Sequence, residues 1–266
     1  GITQSLAGRV AILTLLPFSL EEIAAGINES TDTLMLNGGY PAVWAKKIPV
    51  QDVAQNYYNT YIERDVRQLL NIKDIIRFQT FIKLCAGRIG AEFNASSLSN
   101  ETGVSVPTIQ EWLSVLEASY IIFRLPPFFR NVGKRLVKSP KIYFYDTGLA
   151  CFLLGIENEK QLATHPLRGA VFENMVVLEF FKNRYNRGKL PNLYFYRDKS
   201  QVEVDLIEEQ GTRLYAYEIK SAKAFNKSFV KNLDYLRKVA GDDVVSTEVI
   251  YDGDHDIYTP ENGMVN

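Results

Sequence analysis

The chain has 266 residues, 46% of them apolar and 23% charged, with a formal net charge of -1, a soluble globular profile with room for two modest domains. A near-neutral balance excludes a global basic field of the kind that gathers nucleic acid nonspecifically. No apolar run reaches the ~18 residues that cross a bilayer, and Val10–Leu16 lacks signal-peptide flanks, so no membrane partner and a cytoplasmic location are expected. Cys85 and Cys151 sit in apolar helical patterns and the histidines are His165 and His255 alone. Buried thiols are therefore expected, and a zinc site is not.

In chain order, the apolar run ending at Leu16 reads as a strand. Ser19 with Glu22 reads as a capping box that opens a helix. Residues 26–92 read as a helical linker region. Val53, Tyr57, Tyr61 and Ile62 form one stripe, and Ile75, Phe78, Phe81, Ile82 and Cys85 another. Arg64 and Asp65 read as an ordinary helical ion pair in preference to an interdomain contact.

Residues 93–156 read as a winged-helix-like domain. Asn94 or Ser96 begins a short helix, Gly103 turns it, and Ser105 caps a longer helix with Pro107 in its first turn. Val104, Ile109, Trp112, Leu113 and Leu116 would form its core. Segments 121–125 and 141–145 read as the wing strands, and from Arg124 to Lys141 there are six basic residues and no acid. The longer helix would expose Thr108, Gln110, Glu111 and Ser114; Gln110 is the one good base-edge reader, and Glu111 repels phosphate. The unit thus reads equally as a DNA reader or a protein dock, with Lys134, Arg135 and Lys138 of the wing as the stronger phosphate contacts. Asp146 reads as an N-cap, and Glu157–Leu167 as a linker.

From about residue 165 to 266 the pattern changes. Residues 169–185 read as a helix on which Glu173 shares a stripe with Val176, Val177 and Phe180, a costly place for an acid unless it is paired or binds a metal. The segments 202–207 and 214–220 read as a hairpin with period-two alternation. Val202, Val204 and Leu206 would share one face, and Glu203 and Asp205 the other. A loop over Glu209–Thr212 would set Asp205 opposite Ala216 and Glu203 opposite Glu218. That makes Asp205 and Glu218 diagonal neighbours at roughly 7–8 Å, near enough to grip one divalent cation, with Lys220 steadying developing negative charge. Phe225–Val239 reads as a helix, Val244–Tyr251 as a strand, and Asp252–Asp256 as a solvated acidic turn.

Glu173, Asp205 and Glu218-Ile219-Lys220, in that order, with Tyr196-Arg197 before the Asp strand, resemble the PD-(D/E)xK nucleases. The resemblance implies an α+β chain in which the helical and winged-helix part precedes a restriction-endonuclease-like α/β domain with a central mixed sheet. It implies Mg²⁺ or Mn²⁺ held by Asp205 and Glu218, with Glu173 as a third ligand or water-positioning group. Lys220 would be the catalytic lysine, Arg197 and Lys199 would contact phosphate, and Glu203 is an alternative ligand if the register differs by two. The bland alternative, a wet ribbon face with surface ion pairs, stays open.

Further phrases, Leu6-Ala7-Gly8-Arg9, Pro17-Phe18-Ser19, Gly38-Gly39-Tyr40-Pro41, Tyr61-Ile62-Glu63-Arg64-Asp65-Val66 and Lys138 to Leu149, resemble the C-terminal region of prokaryotic AAA-type ATPases. This resemblance implies that residues 1–25 close an ATPase domain preceding this chain, and that this domain is its partner. ATP would then act only through that domain, since these residues contain no Gly-x-x-x-x-Gly-Lys-Ser/Thr loop. It implies a DNA-associated module and leaves a homo-oligomer open. The expected function is a Mg-dependent phosphodiesterase, the alternative an inactive docking or regulatory module.

Overall fold

The computed structural model describes residues 14–24, 29–60, 74–130, 139–254 and 263–265. The protein is α+β: a helical N-terminal region, then a mixed sheet packed with helices. Ser19 forms the expected capping box, its Oγ accepting from the Glu22 amide while Glu22 Oε2 accepts from the Ser19 amide. Helices α1 (Leu20–Ala24), α2 (Thr31–Asn37), α3 (Pro41–Ala45) and α4 (Val50–Tyr57) follow. Residues 14–16 form no strand. Arg9 and the 61–66 phrase lie outside the described residues.

Next comes a three-helix unit, α5 (Ile75–Ala86), α6 (Ala95–Thr102) and α7 (Val106–Ala118). Asn94 caps α6 and Ser105 caps α7, with Gly103 left-handed between them at φ 70°. Trp112 packs at 5.2 Å from the Phe78 ring and 5.5 Å from the Phe81 ring. Ile109, Leu113 and Leu116 are buried as the apolar stripe requires, whereas Val104 is half-buried. The antiparallel ribbon β1 (Ile122–Leu125) and β2 (Lys141–Phe144) follows.

Every residue of β2 is buried. Its second edge is satisfied by the 90–93 segment, where Gly90 and Phe93 amides donate to the Ile142 and Pro140 carbonyls. Helix α8 (Thr147–Leu153) is capped by Asp146 as expected. The expected linker is not simply a loop: it carries α9 (Glu159–Thr164), capped by Asn158.

Helix α10 (Arg168–Asn186) packs on one face of a sheet ordered β3-β4-β5-β6-β7, with β3 (Leu193–Arg197), β4 (Glu203–Gln210), β5 (Arg213–Lys220), β6 (Val244–Tyr251) and β7 (Gly263–Val265). β3, β4 and β5 are antiparallel neighbours, and β6 and β7 join in parallel. A 3₁₀ turn (Lys227–Val230) and α11 (Lys231–Ala240) cover the other face. The larger core runs through the helical region and under α10. A smaller one, with Val204, Ile207, Ala216, Leu233 and Leu236, lies beneath α11.

The hairpin register departs from the expected one by two residues. Gln210 pairs with Arg213, so Gly211 and Thr212 alone make the turn. Gly211 has φ +65° at the first central position, where a type II′ turn needs glycine. The ladder Ile207–Ala216 and Leu206–Tyr217 then sets Asp205 directly opposite Glu218, not Ala216.

A second departure lies on the β3 side. Tyr194 pairs with Ile207 and Tyr196 with Val204, so Asp205 and Leu206 together oppose Phe195. This β-bulge reverses the alternation. Val204 packs beneath α11 while Leu206 joins the core under α10, so the two do not share a face as simple alternation predicts.

Candidate acid site

The acids expected to act together fall into two neighbouring groups. In the first, Asp205 and Glu218 meet across β4 and β5 with Lys220. The Lys220 ammonium lies 3.2 Å from Asp205 Oδ2 and 2.7 Å from Glu218 Oε1. The Ile219 amide donates to Asp205 Oδ2 at 2.8 Å, beyond the last paired residues of the ladder. Asn232 of α11 reaches Glu218 Oε1 at 3.4 Å. Glu218 Oε2 is buried with no hydrogen-bond partner, and the side chain is only 5% exposed. Burial and the neighbouring Asp205 charge push the Glu218 carboxyl up to about 8, against the pull of Lys220. Burial works against charge on Lys220, but Asp205 and Glu218 outweigh it and hold its pKa above the usual lysine value.

In the second group, Glu173 of α10 meets two residues of β2 that share a face by period two. Glu173 Oε1 accepts from Tyr143 Oη at 2.5 Å and from Lys141 Nζ at 3.1 Å. Lys141 Nζ also lies 2.7 Å from Glu203 Oε1, and its side chain is 4% exposed. Burial would drive its proton off, but Glu173, Asp205 and Glu203 together hold its pKa above the usual lysine value. Burial raises the Glu173 carboxyl, opposed by Lys141. The apolar stripe thus tolerates Glu173 because it is paired, as the rule for buried acids requires.

Arg197 closes this group from the sheet edge, 2.6 Å from Glu92 and 3.3 Å from Glu203. It borders a cleft of about 800 Å³ that Glu92, Phe128, Tyr196, Asp198 and Lys199 also line. Lys199 is exposed there. Gln110 is exposed on α7, as expected. Lys134, Arg135 and Lys138 lie outside the described residues. Asp252, expected in a solvated turn, is instead buried: it accepts from Thr31, Lys223 and Arg168. Both cysteines are free and buried.

Among the described residues, no three His, Cys, Asp or Glu side chains come together to hold a metal ion. Asp205 and Glu218 nevertheless suit a hard cation: two carboxylates lie side by side, and one buried oxygen has no partner. Sequence reasoning missed Lys141, Tyr143 and Asn232. A lysine and a tyrosine two apart at the start of an apolar strand were the available signal, but their target lies on a helix thirty residues away. Among the described residues no helix is long and apolar enough to cross a membrane.

Two family models match the chain. One, described as Domain of unknown function (DUF8612), covers residues 28–160, half of the chain. The other, Domain of unknown function (DUF4143), covers residues 168–265. Uncharacterized protein Rv2008c of Mycobacterium tuberculosis is similar to this chain, 30% identical over 258 residues, 95% of this chain and 55% of that protein. Uncharacterized protein Mb2031c of Mycobacterium bovis matches with the same figures. The chain therefore spans about half the length of the curated relatives it matches. No solved structure matches. Lys141 and Tyr143 thus fall within the first match and the acids Glu173, Glu203, Asp205 and Glu218 within the second; the chain belongs to the DUF8612 family and continues into a DUF4143 segment.

Proposed function

We propose that this chain carries a divalent-cation-dependent phosphodiesterase site of the PD-(D/E)xK type, within a DNA-associated module that follows an ATPase domain in the longer protein. The observation that carries the reading is Glu218: buried, facing Asp205, with one carboxylate oxygen lacking a hydrogen-bond partner. Carboxylates are rarely left so unless something cationic completes them.

Asp205 and Glu218 would hold Mg²⁺ or Mn²⁺. Such an ion, when bound, polarises a phosphoryl oxygen and makes water a stronger nucleophile at neutral pH. Lys220, already between the two acids, supplies positive charge where the transferring phosphoryl gains negative charge. Asn232 orients Glu218 from α11. Glu173, held by Lys141 and Tyr143, acts as a water-positioning group rather than a direct ligand in this reading. Lys199 and Arg197, at the mouth of the adjoining cleft, meet the phosphate backbone.

A second reading is an inactive nuclease-type fold that serves as a docking and regulatory module of the ATPase. The observation favouring it is that no three metal-binding side chains converge among the described residues.

Calorimetric titration of Mn²⁺ into the purified chain, beside Asp205→Ala, separates the two. Saturable binding lost on substitution supports the phosphodiesterase, to be followed by cleavage assays on DNA. A folded wild-type chain that takes up no Mn²⁺ leaves the docking module.

A further inference from the structure

β2 brings a charge into the acid site from outside the segment that holds the acids. Lys141 belongs to the DUF8612 match, while Glu173 and Glu203 belong to the DUF4143 match. Its ammonium touches both, at 3.1 and 2.7 Å, and is almost fully enclosed. The backbone fixes it there: Lys141 bridges Glu92 on one side and pairs with Leu125 on the other. Tyr143, on the same face, fastens the same Glu173 oxygen. Glu203, which pairs with Arg197 of β3 ahead of the bulge, reaches this lysine as well.

Four acids therefore line one region, but they are served by different cations. Asp205 and Glu218 share Lys220, which is about one-third exposed. Glu173 and Glu203 share Lys141, which is almost fully enclosed. Sites that act on phosphodiesters commonly use two metal ions about 3.5–4 Å apart. Here a side chain is already fixed where a second ion would need the same oxygens.

We propose that Lys141 is a positioning residue that takes the place of a second divalent cation, so that the site admits one ion, on Asp205 and Glu218, and the DUF8612 part sets that limit. This rests on the phosphodiesterase reading of the same acids. Without Lys141, Glu173 keeps Tyr143 and Glu203 keeps Arg197 at 3.3 Å, but the two carboxylates lose the ammonium between them and can take an ion of their own.

The test is Mn²⁺ stoichiometry, by calorimetry on the whole chain, for wild type, Lys141→Met and Lys141→Met/Glu173→Gln. The expected result is one equivalent in the wild type, a second equivalent in Lys141→Met, and loss of that second equivalent in the double variant. Two equivalents in the wild type overturn the inference, as does a folded Lys141→Met that takes up no more than a wild type binding one. If the wild type binds none, the phosphodiesterase reading fails by itself. An equivalent that then appears only in Lys141→Met supports the role of Lys141, and none in either overturns it too. Should Lys141→Met not fold, acylation of Lys141 in the wild type, read by peptide mass spectrometry, decides. With Mn²⁺ shown to be bound, slow labelling that the ion leaves unchanged supports a fixed ammonium, and any acceleration on binding shows that the ion displaces it and overturns the inference.

Discussion

The Asp146 carboxylate fills the space that a side chain at Gly38 would need: a Cβ there would lie 2.5 Å from both its oxygens. Gly38 also has φ +61°. Asp146 meanwhile accepts from the Gly39 amide at 2.7 Å and from the Leu149 amide at 2.8 Å, so one acid caps α8 and fastens the turn after α2. Gly38→Ala is expected to cost more than about 2 kcal/mol, from left-handed backbone strain plus the collision. Asp146→Ala costs about 1–2 kcal/mol for the lost cap. Urea denaturation of both single variants and the double should show coupling of roughly 1 kcal/mol or more, and simple additivity would refute the shared lock.

Arg168 ties α10 to three distant segments. Its guanidinium meets Asp32 of α2 at 2.7 Å, Asp252 at 2.6 Å and the Ser221 carbonyl at 2.8 Å. Arg168→Ala should destabilise the fold by roughly 3 kcal/mol, the lower end for a broken buried pair because Lys223 remains beside Asp252. Thermal denaturation checks this, and a variant within experimental error of wild type contradicts it.

Glu218 gives the stability a pH dependence. Its pKa rises from 4.5 to about 8 on folding, so between those values the folded chain binds the extra proton. Stability from this group is fully present below pH 4.5 and falls as pH rises toward 8. Glu218→Gln cannot titrate. It should therefore melt higher than wild type at pH 8.5, by the equivalent of a few kcal/mol at most, with a much smaller difference at pH 4.5. Parallel melting curves at both pH values would remove this account.

The same proton bears on cation binding. Near pH 7 Glu218 carries it, and a cation on Asp205 and Glu218 must expel it. Mn²⁺ uptake should release about one proton per ion. Calorimetry in buffers of different ionisation enthalpy measures this, and a heat independent of buffer counts against Glu218 as a ligand.

Lys199 is exposed at the cleft mouth. If DNA lies there, Lys199→Ala should weaken binding similarly for all sequences and lower the salt-dependence slope by about 0.9. A change confined to one sequence would point to base reading instead.

Much of this was legible in the sequence because it is local. The caps at Ser19, Asn94, Ser105 and Asp146 depend on a few neighbouring residues, and the helices and strands follow periodicities that burial enforces. The hairpin strands were legible, but not their register. Reading four residues instead of two into the turn slides one strand past the other by two, which preserves every face and changes every partner. The bulge at Asp205 and Leu206 answers to Phe195 on another strand, and nothing within 203–210 announces it. Asp252 looked like a wet turn because its partners, Thr31, Arg168 and Lys223, are scattered along the chain. Lys141 reads only as the end of a basic stretch for the same reason: its partners Glu173 and Glu203 are far along the chain.

Asn174 is wholly buried, and its side-chain amide accepts from the Phe144 amide at 2.7 Å and donates to the Phe144 carbonyl at 2.8 Å. It thereby imitates one rung of a β-ladder, with a helix in the role of the neighbouring strand. The seam between the two family matches at residues 160 and 168 is consequently no place to cut. A fragment beginning at 168 would surface Asn174 and Glu173 stripped of their rung and their cation, and one ending at 160 would leave the Phe144 amide and carbonyl without the partner that Asn174 supplies.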